Sequence, residues 1–87
     1  MNHHHRKILH SFFAHPVSTN IDFRDVEHVM TMLGADVDAK NGNKIDVTLN
    51  GHKTSFHRNH HTLPKAEVLQ IRKFLEGAGI SPEAYPV

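Results

Sequence analysis

Asn50-Gly51 lies between two stretches that alternate apolar and polar residues, and no other dipeptide limits the fold of this chain as strongly. Both central residues of a two-residue hairpin turn of this type need positive φ, which Asn and Gly tolerate. Upstream, Ile45, Val47 and Leu49 alternate with Asp46 and Thr48, the mark of a strand with one buried face. A two-residue turn then fixes every partner: Leu49 meets His52, Thr48 meets Lys53, Val47 meets Thr54, Asp46 meets Ser55, Ile45 meets Phe56 and Lys44 meets His57. Phe56 thereby lands beside Ile45 on the apolar face, whereas a slip of one residue sends it to solvent.

A further strand precedes these two. Ala35, Val37 and Ala39 alternate with Asp36 and Asp38, and Asn41-Gly42-Asn43 supplies a turn. A two-residue loop would set Val37 against Asp46. A three-residue loop sets Val37 against Val47 and Ala39 against Ile45, and the apolar pattern selects it. The expectation is a three-stranded antiparallel meander over 35–40, 44–50 and 52–57.

Helical spacing governs the rest. Ile8, Leu9, Phe12 and Phe13 form a stripe over 4–14, which His15-Pro16 ends. Phe23, Val26, Val29, Met30 and Leu33 form a second over 22–33, with Asn20 or Asp22 as N-cap and Gly34 as the stop. Val68, Ile71, Phe74, Leu75 and Ala78 form a third, opened by Pro64-Lys65 and closed by Gly79. The order is α-α-β-β-β-α. A sheet with one apolar face and three amphipathic helices packs as a two-layer α+β domain, with the helices on that face. The division is an N-terminal helix and loop over 1–21, a domain over 22–80 and a flexible tail over 81–87. The first helix either docks on the domain or pairs with another subunit through Phe12 and Phe13.

The 87 residues suffice for one small domain, which buries only about 60–65% of its unfolded surface. There are no cysteines, so disulfides, thiolate zinc sites and thiol nucleophiles are excluded, in keeping with a reducing cytoplasm. No apolar run approaches the ~20 residues of a membrane span, and the start of the chain does not read as a signal peptide. The run His3-His4-His5 is short for an affinity tag and carries no functional weight.

Net charge is +1, and its distribution is uneven. From Asp22 to Asp46 acids outnumber bases, whereas the stretch from Val47 onward holds Lys53, Arg58, Lys65, Arg72 and Lys73 against Glu67, Glu76 and Glu83. His52, His57, His60 and His61 lie in that basic half, the end a polyanion prefers. No metal and no other cofactor is expected. Zinc needs three or four convergent ligands, and His57, His60 and His61 have no Asp, Glu or Cys at a recognised spacing. His52 sits roughly 17 Å away along its strand. Phosphate suits the cluster better, with Lys53, Arg58, His60, His61 and Lys65 as binding residues near a helix N-terminus. No aromatic platform for stacking single-stranded bases is present.

The order α-β-β-β-α resembles the double-stranded RNA-binding fold. The run from Val26 to Ile80, with its Leu33-Gly34 helix end, the turn at Gly42, the strand ending in His57-Arg58 and the closing Ala78-Gly79-Ile80, resembles HicA-type (YcfA-like) toxins. These are small mRNA interferases of bacterial toxin–antitoxin pairs. The resemblance covers about residues 22–80. It implies metal-independent endonuclease cleavage of messenger RNA, a cytoplasmic location and a HicB-like antitoxin as partner. The family's histidine follows a Gly-Ser pair at the start of the second strand, which maps onto Gly42-Asn43-Lys44. Lys44 therefore stands where the family has its base.

An imidazole titrating near ~6.5 takes a proton from a ribose 2′-hydroxyl at neutral pH, and a solvated lysine near ~10.4 does not. The hairpin register sets His57 across from Lys44 on the open face, within about 4.5–5.5 Å at Cβ. His57 as base and Lys44 as electrostatic clamp are the expected catalytic pair. The alternative is a catalytically silent module that binds RNA or an antitoxin.

Overall fold

The computed structural model describes residues 1–58 and 62–87. Its elements run α1 (His3–Ser11), α2 (Phe23–Met32), β1 (Asp36–Asn41), β2 (Lys44–Leu49), β3 (His52–His57) and α3 (Lys65–Gly77). The strands form one antiparallel sheet in the order β1-β2-β3. The architecture is the expected two-layer α+β arrangement. Among the described residues, no helix is long and apolar enough to cross a membrane.

The core lies between the sheet and the helices. Ile45, Val47 and Leu49 of β2 and Phe56 of β3 are buried, and Val26, Val29, Met30, Val68, Ile71 and Leu75 meet them from α2 and α3. Leu9 is fully buried and Phe12 nearly so, which docks α1 on the domain. Asp22 caps α2 by accepting a hydrogen bond from the Arg24 amide at 2.8 Å, satisfying an otherwise orphaned donor. Gly34 and Gly79 follow α2 and α3 with φ of 89° and 83°, the left-handed conformation that ends helices at glycine.

The β2–β3 hairpin has the register expected from Asn50-Gly51 at all its pairs, from Leu49–His52 to Lys44–His57. Asn50 and Gly51 adopt φ of 50° and 81°. The β1–β2 connection differs from expectation. Val37 does pair with Val47, but the register shifts between Asp38 and Asn41, and Asn41 pairs with Lys44. The loop is therefore the two residues Gly42-Asn43, and the extra residue is taken up by a bulge. Ala39 is exposed rather than facing Ile45. A three-residue loop and a two-residue turn with a bulge insert the same extra residue, so the Val37–Val47 match does not separate them. Exposing one methyl group costs little.

The edge of β3 is covered by side chains of α3. Gln70 donates from Nε2 to the Ser55 carbonyl at 3.3 Å and to Thr54 Oγ1 at 3.1 Å. Glu67 accepts from the His57 amide at 2.9 Å. Unpaired edge groups template aggregation, and in this fold a helix satisfies two of them, the His57 amide and the Ser55 carbonyl. At the far end, Asn50 Nδ2 donates to the Ala78 carbonyl at 2.8 Å, tying the hairpin turn to the end of α3. Residues 81–87 include a 3-10 turn (Pro82–Ala84), and His10 Nε2 lies 2.8 Å from the Tyr85 carbonyl.

Candidate nucleic-acid interface

The connection from β3 to α3 is short. It is pinned where it leaves β3, by the Arg58 amide donating to the Asn43 carbonyl at 2.7 Å, and where it reaches α3, by the Leu63 amide donating to the Ile21 carbonyl at 2.9 Å. This brings the first turn of α3 back to the end of the sheet where Lys44 and His57 pair. Both side chains are exposed, as expected of the open face. His60 and His61 lie outside the described residues.

Lys44, His57 and Arg58 each have a carboxylate beside them. Lys44 Nζ is 4.0 Å from Asp46 Oδ1, its neighbour along β2, with both groups nearly half exposed. Such a contact contributes little, about 0–1 kcal/mol. His57 turns the other way, over the strand edge, where Nδ1 is 3.3 Å from Glu67 Oε2. Lys44 and His57 are thus neighbours by register, while their charged ends lean to different partners.

Arg58 is held more firmly. Its guanidinium donates to Glu27 Oε1 at 2.6 Å, with side-chain exposures of 35% and 19%, and it lies 6.0 Å from the Phe23 ring centre. Arg58 Nε is buried and has no hydrogen-bond partner among the described residues. A phosphate must displace or share Glu27 to reach this group.

One other expected contact, Lys53, is placed apart. Lys53 pairs with Thr48, four residues along β3 from His57 and so roughly 13 Å away. It lines a shallow groove of about 750 Å³ together with Lys73, Asp36 and Asp46, and does not join the Lys44–His57 end. Lys65 opens α3 in an exposed position, behind an N-cap, Pro64, that supplies no side-chain hydrogen bond. The helix N-terminus beside it favours anions.

Glu67 and Glu27 are the residues that sequence reading missed. In the sequence Glu67 is one acid among basic neighbours. Its role follows only once a short connection returns α3 to the end of β3. A second histidine group is equally hidden. The rings of His5 and His28 lie 5.6 Å apart across α1 and α2, and His4 Nε2 is 3.3 Å from Asp25 Oδ1. Among the described residues, no three His, Asp or Glu side chains are placed to share a metal ion.

The arrangement offers a half-exposed imidazole fixed by a carboxylate, a lysine across the strand pair, and a second lysine at a helix start. It is closer to charge balance than the sequence suggests. Such a site suits proton transfer at one phosphodiester more than accumulation of a long polyanion. Set against family models, curated proteins and solved structures, the chain matches none of them.

Proposed function

We propose that this chain is a HicA-like toxin domain that binds RNA at the Lys44–His57 end of the sheet and cleaves it there. The observation that carries the reading is an exposed His57 that pairs with Lys44 across the hairpin and whose ring is held at the strand edge by Glu67. His57 Nε2 accepts the proton of a ribose 2′-hydroxyl as that oxygen attacks the adjacent phosphorus. The bond from phosphorus to the 5′ oxygen breaks, that oxygen takes a proton from water, and His57 later returns its own to solvent. Lys44 offsets the charge that builds on the phosphoryl oxygens, and Lys65 holds a neighbouring phosphate. The resemblance to HicA-type toxins supports the reading, and with it a cytoplasmic location and a HicB-like antitoxin as partner.

Two observations favour a second reading, a module that binds RNA or an antitoxin without cleaving. Arg58 is engaged by Glu27, and Lys44 replaces the family's histidine. Incubation of purified protein with RNA in excess chelator separates the two. Cleavage products are the expected result, and retarded but intact RNA supports the second reading instead. RNA that is neither cleaved nor retarded overturns the first reading and leaves only antitoxin binding of the second.

A further inference from the structure

Glu67 reaches His57 twice. One carboxylate oxygen accepts from the His57 amide at 2.9 Å, and the other lies 3.3 Å from His57 Nδ1. The Glu67 side chain is only 17% exposed, against 50% for His57. The backbone bond fixes where the carboxylate sits, so its second oxygen faces the ring as a consequence of the helix-to-edge contact. An ionised carboxylate is an acceptor only. Nδ1 must therefore carry a proton whenever this contact is made. In the neutral ring that leaves Nε2 as the bare nitrogen, with its lone pair directed away from Glu67.

We infer that Glu67 is a positioning residue, which selects the Nδ1–H tautomer of His57 and so presents Nε2 as the base toward a ribose 2′-hydroxyl. The inference rests on the proposed cleavage but reaches beyond it. It names an acid from α3 as the partner of a histidine from β3, and it specifies which ring nitrogen meets RNA. The ring contact is at the long end of hydrogen-bond range, as contacts of catalytic groups are before substrate binds. When His57 takes the substrate proton, the resulting imidazolium faces the Glu67 carboxylate, which offsets the new charge, with Lys44 its neighbour by register across the strand pair.

Glu67→Gln is the informative variant. Its carbonyl oxygen still accepts from the His57 amide, so the strand edge stays covered. Its amide nitrogen then faces Nδ1 as a donor, which favours the opposite tautomer. Gln70→Ala is the control, because it removes a comparable contact of α3 to the β3 edge without touching His57.

Long-range nitrogen–proton NMR spectra of the neutral ring are expected to show the Nδ1–H tautomer in the wild type and its loss in Glu67→Gln. In RNA cleavage, Glu67→Gln is expected to lower kcat by on the order of 10²-fold or more, as a wrong tautomer does in other hydrolytic sites, with KM little changed. Gln70→Ala is expected to cleave as the wild type does. A wild-type His57 in the Nε2–H form overturns the inference whether or not RNA is cut. So does a Glu67→Gln protein that cleaves at the wild-type rate. A wild type that shows the Nδ1–H tautomer and cuts no RNA instead overturns the proposed function, and with it the catalytic purpose of Glu67.

Discussion

Arg58 and Glu27 come from distant parts of the chain and meet at 2.6 Å. A partly buried, charge-assisted bond of this kind contributes about 1.5–3 kcal/mol at most, and it competes with any phosphate for the guanidinium. Glu27→Gln keeps a weaker acceptor and releases the charge. It is expected to lower stability by about 1 kcal/mol in urea unfolding, while RNA is bound severalfold more tightly in a filter or fluorescence assay. Unchanged RNA affinity in a destabilised variant means that Arg58 serves the fold alone. Sequence reading places Lys44 beside His57 because register is arithmetic once the turn is known. It assigns Arg58 to phosphate because a charge pair between residues 27 and 58 depends on how α2 crosses the end of the sheet, and no local pattern encodes that crossing. Glu67 is hidden for the same reason.

Two features of the Asn50-Gly51 turn hold the hairpin. Asn50 adopts φ of 50°, and its side chain reaches the Ala78 carbonyl at the end of α3. The two contributions separate by substitution. Asn50→Gly keeps the conformation and removes the bond, at an expected cost of about 0.5–1.5 kcal/mol. Asn50→Ala removes both, adding roughly 1–2 kcal/mol for a left-handed residue with a Cβ. Thermal or urea unfolding of both variants checks the order, and equal losses contradict it. The turn is legible because its chemistry is local. The bulge between Asp38 and Asn41 is not, because Ala39 reads as apolar yet is small enough to sit in solvent. The period-two pattern treats it as a core position, although nothing in the packing requires it there.

Across the whole molecule, one core serves every element. Leu9 is fully buried, so α1 belongs to the domain and is not a detachable arm. Leu9→Ala is expected to cost about 2–5 kcal/mol, a large share of the roughly 5–15 kcal/mol that holds a domain together. A loss under about 1 kcal/mol in calorimetry contradicts this docking. Charge at this scale is divided by strand. Asp36, Asp38 and Asp46 lie on β1 and β2, while His57 and Lys65 lie toward β3 and α3. With Asp46 and Glu27 beside Lys44 and Arg58, few cations remain for an RNA backbone. Single-strand binding changes by roughly −0.7 in log K per log salt for each phosphate neutralised. Contacts from Lys44 and Lys65 alone therefore give a slope near about −1.4. A slope several times steeper in a salt titration means that RNA follows a longer path, such as one through the Lys53–Lys73 groove.

We propose the imidazole of His57, paired with Lys44 across the hairpin, as the base of an RNA-cleaving site. The most direct measurement is the cleavage rate of wild type and His57→Ala on the same RNA in chelator, with unfolding of both followed in parallel. His57 is exposed, so the variant is expected to keep its stability within about 0.5 kcal/mol while cleavage falls by roughly 10²–10⁴-fold. A folded His57→Ala protein that cuts RNA at the wild-type rate contradicts the account.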